Sequence, residues 1–557
     1  MSFTEVLGEN DLREILKRLN GRRYGAYKRL RAKLLGYEFG EALLTRIQGD
    51  PYAPPSVIEI TIPPNVHKLP NKFLDERCII PLLDYLARLL HLHSRRLRRK
   101  CGTGNSGYLG IPKPSPCILR RSCVDISGRS LVFRLFIGLP ARGRRILGDK
   151  AREILLDKIP ELVKAVIFQA RVREDLEKHI NLYLDQEYIR RWLYESDALA
   201  FIGDGSILPR ESSYSIKPLK TAIPIKSPPE LRARIKLPSG KTISGMILPR
   251  GFITITGGGY HGKTTLLKAI QEGIYNHVKG DGREYVISRR GTILVKAEDG
   301  RLISHVDISS FIESLPGGVD TGDFSSSCAS GSTSMAAAIN EAIEAGAESI
   351  LIDEDTSATN LLYKDEVMNR IIREEPIKPL CMQGRSIISK CGIGIIAVAG
   401  ASSSLISAAD RIIIMENYLP REITEYAKRY APETSMIEYK PPRKRVFYGI
   451  RGLKKIKVSG FKLIARYENG ESFELDVSDN PRIVEKGQVN FIAHILMSLR
   501  KPSEPMYVRE LIEWINSAIK DKGFETFVKP VPPDLALVDG IDVIWVLNRL
   551  RNASFSQ

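Results

Sequence analysis

"ITITGGGYHGKTTLLKAI", residues 253–270, is the stretch on which the fold turns. Its β-branched start reads as a strand, three glycines follow, and the end repeats apolar positions at helical spacing. Gly257, Gly262, Lys263 and Thr264 match GxxxxGK[ST] between an expected strand and an expected helix, the setting that pattern requires. Glycines let the backbone curl until its N–H groups face a phosphate, and the helix start adds partial positive charge. Lys263 can then reach the β and γ oxygens of ATP, and the Thr264 hydroxyl can ligate Mg2+. The expected nucleotide-binding residues are therefore Gly257, Gly258, Gly259, Tyr260, His261, Gly262, Lys263, Thr264 and Thr265.

A phosphate loop alone hydrolyses nothing, and ESILIDEDTSATN (348–360) offers the second element. The apolar strand Ile350–Ile352 ends in Asp353, placed to hold a metal, and Glu354, placed to orient or deprotonate a water. Between the two lies CASGSTSMAAAINEAIEAGA (328–347), in which Ser330, Gly331 and Ser332 precede an alanine-rich helix whose first N–H groups could face an anion. Apolar strands alternate with helices to about residue 420, the pattern of a mostly parallel α/β sheet.

Upstream, residues 9–36 read as two short basic helices, VIEITI (57–62) as a strand and 77–99 as a helix ending in RRLRRK. GLPARGRRILG (138–148) reads as the opening of a long helical stretch. GTGNSG (102–107) is shaped like a degenerate phosphate loop, but Asn105 stands where lysine is wanted, so a turn or a backbone nest is the better reading. The aperiodic segment 203–232 and the loop YKPPRKR (439–445) mark boundaries, and Asn469-Gly470 is the cue of a hairpin beyond them. The division expected is 1–210, 211–440 and 441–557.

The 557 residues carry a net charge of +18, which calls for a polyanionic partner, nucleic acid first. Arg95, Arg96, Arg98, Arg99, Lys100, Arg142, Arg144 and Arg145 are the expected RNA-phosphate contacts. Tyr24, Tyr27 and Tyr52 lie among basic residues and suit either base stacking or core packing. Seven dispersed cysteines without a CxxC pair argue against a disulfide framework or zinc ribbon, and no run of apolar residues is long enough to span a bilayer. A soluble, cytoplasmic protein without a membrane partner is expected.

Together these blocks resemble the ABC ATPases. Ser330-Gly331-Ser332 stands where that family has the Ser-Gly-Gly of LSGGQ, and Ser357-Ala358-Thr359-Asn360 stands at its D-loop. More closely, YGAYK (24–28), QGDPYAPPS (48–56), GTGNSG, GLPARGRRILG, GDGSILPR (203–210), AEDGR (297–301), ASGSTS and DEDTSATN resemble the ATPases of the ABC class that include a mitochondrial RNA-editing-associated ATPase. The resemblance implies an α/β P-loop ATPase core with an N-terminal α+β domain and a small C-terminal α+β domain. It also implies a head-to-tail homodimer, in which the LSGGQ-like helix of one protomer covers the nucleotide of the other, and RNA binding. Glu298, near the place of the family's Q-loop glutamine, joins Thr264 and Asp353 as an expected metal-site residue. No histidine occupies the switch position near Gly400, which implies slow hydrolysis, with Ser402, Ser403, a backbone group or no group at all as sensor. Transfer of the γ-phosphoryl group to a small molecule or an RNA end is the competing activity. The short span from Lys263 to Ser330 argues against a transporter subunit.

Overall fold

The computed structural model describes residues 6–557 except 32, 173, 213–214, 365–370, 373–374, 401 and 432–434. Two compact units emerge: one from residues 1–181, 485–491 and 522–537, the other from 182–484, 492–521 and 538–557.

In the first unit, Ser56–Ile62 and Ser130–Ile137 pair antiparallel at the middle of a seven-stranded sheet. The helix Glu76–Leu97 buries Leu82, Leu83, Leu86 and Leu90, the apolar stripe expected of a helix on a sheet. Within residues 9–36 one α-helix forms, Glu9–Leu19; the second expected helix is a 3-10 segment, Tyr24–Leu30, followed by the strand Leu34–Tyr37. Tyr24 and Tyr27 belong to the core, their hydroxyls donating to the carbonyls of Leu139 and Pro140 at 3.0 and 2.8 Å. Tyr52 is 69% exposed.

The arginines of GLPARGRRILG do not start a helix. They lie on a hairpin, Ala141–Arg142 with Arg145–Ile146, and the helix begins only at Gly148. Gly143 turns at φ 58°, and residues 144 and 146 exchange backbone hydrogen bonds with Tyr24 and Arg22, which fixes the segment as an extended ribbon. GTGNSG is likewise spent on structure: the N–H groups of Thr103, Asn105 and Gly107 donate to Ala141, Pro51 and Gly138 at 2.8–2.9 Å. With alternate N–H groups committed to distant carbonyls, the loop is held as a structural turn.

A polar cluster centred on Asp84 is buried in this unit. Asp84 receives Arg88 at 2.7 Å and contacts Arg121 and, at 3.1 Å, His179; Arg121 also grips Glu485 at 2.8 Å. Burial alone raises the Asp84 carboxyl, but Arg88 and Arg121 hold it far below the usual carboxylate range.

The second unit carries the alternating pattern. Its six-stranded sheet comprises β1 (Phe252–Thr256), β2 (Thr292–Val295), β3 (Ser349–Asp353), β4 (Gly394–Val398), β5 (Arg411–Glu416) and β6 (Leu419–Glu422), in the order β2-β3-β4-β1-β5-β6. All neighbours are parallel except β5 and β6. β1 alternates faces: Phe252 enters one core with Ile350, Ile352 and the helix α2 (Gly331–Glu344), while Ile253 and Ile255 enter the other with Leu266 and Ile270 of α1 (Lys263–Glu272). Both sides covered is what a parallel sheet requires. A second, antiparallel sheet joins Ala198–Gly203, Arg232–Lys236, Thr242–Pro249 and Val286–Ser288, so residues just before 210 contribute to this unit. The strands Lys462–Tyr467 and Ser472–Asp476 flank Asn469-Gly470 as a hairpin. No described helix is long and apolar enough to cross a membrane, and all seven cysteines are free.

Removing one partner of the Asp84 cluster leaves buried charge uncompensated. Arg121→Met is therefore expected to cost about 3–5 kcal/mol, seen as a lower midpoint of urea unfolding. Because Asp84 is held below its ordinary range, its stabilisation is present at neutral pH and is lost as pH falls. The gap between wild type and variant should narrow in acid.

Candidate functional site

β1 runs into Gly257, whose φ of 133° only glycine adopts readily, and the chain then curls to Gly262 at φ 91°, where α1 begins. A Cβ on Gly257 would lie 2.4 Å from the Met415 carbonyl of β5, whereas one on Gly259 would meet nothing within 4 Å. The loop is thus pinned at its base and open at its tip. None of the N–H groups from Gly258 to Thr264 donates to a described residue. Lys263 folds back over the curl and donates to the carbonyls of Gly257 and Gly258 at 2.9 and 2.8 Å. An array of unspent donors, a lysine across it and a helix start beneath it form a cradle that fits a chain of phosphates. Thr264 and Thr265, half-buried in the first turn of α1, border it.

Across the sheet, Val398 of β4 pairs with Ile255 on one side and Asp353 on the other, so the cradle and Asp353 open from the same edge. Two strand spacings separate them, roughly 10 Å. Asp353 is buried at the tip of β3 and its Oδ1 accepts the Asp355 N–H at 3.4 Å. Glu354 accepts from the Tyr363 hydroxyl at 2.9 Å and from the Gly400 N–H. Burial first, and Glu354 beside it, push the Tyr363 hydroxyl up to about 12, so it stays a donor. Gly400 is the place where the switch histidine was missed; a backbone N–H there holds the carboxylate. Ser402 spends its hydroxyl capping the helix Ser403–Ala408.

Ser330 caps α2, accepting from Thr333 N–H, and Ser332 reaches Asn360 of the D-loop-like segment at 2.8 Å. The N–H of Glu298 donates to Ser334 Oγ at 2.9 Å. Its carboxylate, expected at the metal site, is paired with Arg549, which binds both oxygens, through Nε at 2.9 Å and through Nη2. Burial opposes the charge, yet Arg549 holds the Glu298 carboxyl down at about 2. Arg549 in turn stacks on Trp545 at 3.8 Å.

Of the basic residues, Arg95, Arg96, Arg99 and Lys100 are exposed at the end of the helix Glu76–Leu97, whereas Arg98 lies over the Tyr108 ring at 4.1 Å and donates to Leu109. Arg142, Arg144 and Arg145 are exposed on the hairpin, where Arg144 pairs with Asp50 at 2.8 Å and Arg145 donates to Gly21. The bridge between Arg23 and Arg145 adds Arg22 and Arg23 to this patch, and the loop 102–107 joins it to the segment ending at Lys100.

The P-loop domain model of the ABC ATPases matches residues 172–449, that of the N-terminal region of ATPases of the ABC class matches 9–170, and that of the MRB1590 C-terminal domain matches 455–556. The chain belongs to the ABC-class ATPases. A relative of this ABC-class ATPase, the uncharacterized protein MJ1628 of Methanocaldococcus jannaschii, is 35% identical over 246 residues, or 42% of the chain; the chain spans about half (54%) of that protein's length. Among solved structures, an ATP-bound bacterial Atm1-family ABC exporter is 12% identical over 50% of this chain and 49% of its own, with a TM-score of 0.23.

Several residues of the site lay outside the sequence reading. Tyr363 and the Gly400 N–H flank Glu354 with no motif to announce them. Arg549 reaches Glu298 across 251 positions, which no local pattern shows. The Asn417–Tyr418 turn beside the cradle did carry a signal, an asparagine between two alternating apolar runs.

Arg549→Met is expected to destabilise the protein by about 3 kcal/mol at pH 7, since it strands the Glu298 carboxylate. The Glu298 carboxyl sits at about 2 against an ordinary 4.5, so its contribution is complete above 4.5 and fades as pH falls toward 2. Urea midpoints at pH 7 and pH 3.5 should show the difference between wild type and variant shrinking in acid.

Proposed function

We propose that this ABC-class ATPase binds ATP with Mg2+, hydrolyses it in a head-to-tail homodimer, and couples the cycle to RNA binding in the cytoplasm. The reading rests on one observation: an unspent N–H cradle under Lys263 opens at the same sheet edge as Asp353 and Glu354. In it, Gly257–Thr265 grip the phosphates, with Gly258, Gly259, Tyr260 and His261 at the tip. Thr264 and Asp353 would hold Mg2+, which neutralises charge on the phosphate oxygens when bound. Glu298, committed to Arg549, has a positioning part in this scheme, through its N–H on Ser334 of α2.

Glu354 is the base. Fixed by Tyr363 and Gly400, its carboxylate can take the proton of a water as that water's oxygen bonds the γ phosphorus and the bridging P–O bond breaks. Lys263 stabilises the charge on the oxygens. In the dimer, the N-terminus of α2, with Ser330, Gly331 and Ser332 exposed or half-buried, supplies donors to the partner's γ-phosphate.

RNA is favoured as the partner by the net charge and by the exposed arginines gathered at residues 22–23, 95–100 and 142–145. Tyr52, exposed beside Asp50 and Arg144, adds a ring for an unpaired base. The binding domain assigned to it is 1–210, with the ATPase domain at 211–440 and a further domain at 441–557.

Glu354→Gln should keep ATP binding, lose about two to four powers of ten in turnover, and accumulate a dimer with ATP in analytical ultracentrifugation. Unchanged phosphate release would move the base elsewhere, and label passing from the γ-phosphate to RNA or a metabolite would favour a phosphoryl transferase. For RNA, filter binding across a salt series should give a steep negative slope of log K against log salt. Arg142→Ala, Arg144→Ala and Arg145→Ala together should flatten it.

A further inference from the structure

The phosphate cradle is built against a strained aromatic turn. Glu416 pairs with Leu419, so Asn417 and Tyr418 alone connect β5 to β6. Their φ values are 48° and 66°, the left-handed pair that suits the twist of a two-residue hairpin but selects Asn, Asp or Gly. Asn417 conforms; a tyrosine at the second position does not, and a bulky residue there is strained. The strain is not offset by burial, because Tyr418 is 53% exposed, and its hydroxyl makes no hydrogen bond to a described residue.

The turn is nonetheless held in place. The Asn417 N–H donates to His261 Nδ1 at 3.1 Å, and Tyr418 Cδ1 lies 3.3 Å from where a Cβ on Gly262 would be. An aromatic face is thus kept half in water, in close contact with the last glycine of the cradle. Tyr260, at the cradle's tip, is also at positive φ (61°) and is 99% exposed. Non-glycine residues at positive φ therefore gather around a loop suited to phosphates, in a chain where such residues are otherwise scattered.

We infer that Tyr418 is the stacking platform for the nucleobase of the triphosphate held by Gly257–Thr265. The inference rests on the nucleotide reading above and adds to it the recognition of the base. The phosphates occupy the N–H groups, and the sugar and base must leave the cradle past its rim. A flat apolar face at that rim removes the ring from water, and every base offers a π face to it. Selectivity on this basis comes from stacking strength, which ranks purines above pyrimidines.

Tyr418→Gly makes the test, since glycine is the residue this turn prefers and the variant is expected to fold with a raised Tm. Binding of ATP and of inorganic tripolyphosphate, each with Mg2+, is measured by calorimetry on the full chain. The expected result is ATP weakened about five- to a hundredfold with tripolyphosphate unchanged. Tyr418→Phe and Tyr418→Trp should retain ATP affinity, and the wild type should bind ATP and GTP more tightly than CTP and UTP. Loss of ATP and tripolyphosphate in parallel would make Tyr418 a support of the loop, and no change in either would leave it outside the site; both results overturn the assignment. A wild type that binds ATP no better than tripolyphosphate overturns it too, with the cradle intact. A wild type that binds neither overturns the nucleotide reading itself, and the stacking role falls with it.

Discussion

The approach of two backbones at Gly257 constrains everything else in the ATPase core. β1 and β5 are parallel neighbours, and where β1 ends the chain must leave the sheet with the Met415 carbonyl 2.4 Å from the place of any Cβ. No side chain fits, so the residue is glycine, its φ is free to reach 133°, and the loop rises over the sheet edge instead of along it. The N–H groups of the next residues then have no acceptor among the described residues. Unsatisfied donors on a surface are cheap while water covers them, and they become a binding site when an anion displaces that water.

The order of strands decides what such a loop can work with. β4 lies between β1 and β3, which sets Asp353 and Glu354 roughly 10 Å from the cradle, the span of a triphosphate's outer end and a water. Gly400, just beyond β4, fills the gap by fixing Glu354 with its N–H. A histidine is thereby not needed to orient the carboxylate, although a backbone donor carries no charge to offer the departing phosphate. Ser330 and Ser332 are spent within the chain, on the cap of α2 and on Asn360. What α2 has left for an anion is its backbone N-terminus.

Elements with short-range causes were legible in the sequence. The strand, loop and helix at 252–272, the Asp353-Glu354 pair at a strand tip and the Ser330 cap each follow from residues within a few positions of one another. The helix start read at 138–148 failed because a distant backbone intervened. Arg142–Arg145 has the composition of a helix start, but its hydrogen bonds go to Arg22 and Tyr24, more than a hundred positions away, and make it a ribbon. GTGNSG has the glycines of a phosphate loop, but their small size serves close contact: a Cβ on Gly104 would sit 2.3 Å from the Pro51 carbonyl and one on Gly107 2.1 Å from that of Arg99. Glycine permits both an open nest and a crowded junction, and its presence alone does not distinguish them. Glu298 shows the same limit for charge, because its partner Arg549 lies at the far end of the chain.

That partner bears on how the C-terminal residues relate to the ATPase core. Among the buried pairs of the second unit, arginines at or beyond residue 445 make several: Arg549 with Glu298, Arg445 with Glu344 at the end of α2, and Arg482 with Asp542. Buried pairs of this kind add little net stability, since desolvation consumes most of the attraction, but they punish any arrangement in which one member loses the other. Two of them act on the same piece of machinery, since Glu344 ends α2 and the N–H of Glu298 holds Ser334 near its start. α2 is therefore tied at its end directly by Arg445 and near its start, through Glu298, by Arg549. A shift of that helix toward a nucleotide must either carry the C-terminal segment along or break a buried ion pair, and carrying it along is the cheaper course.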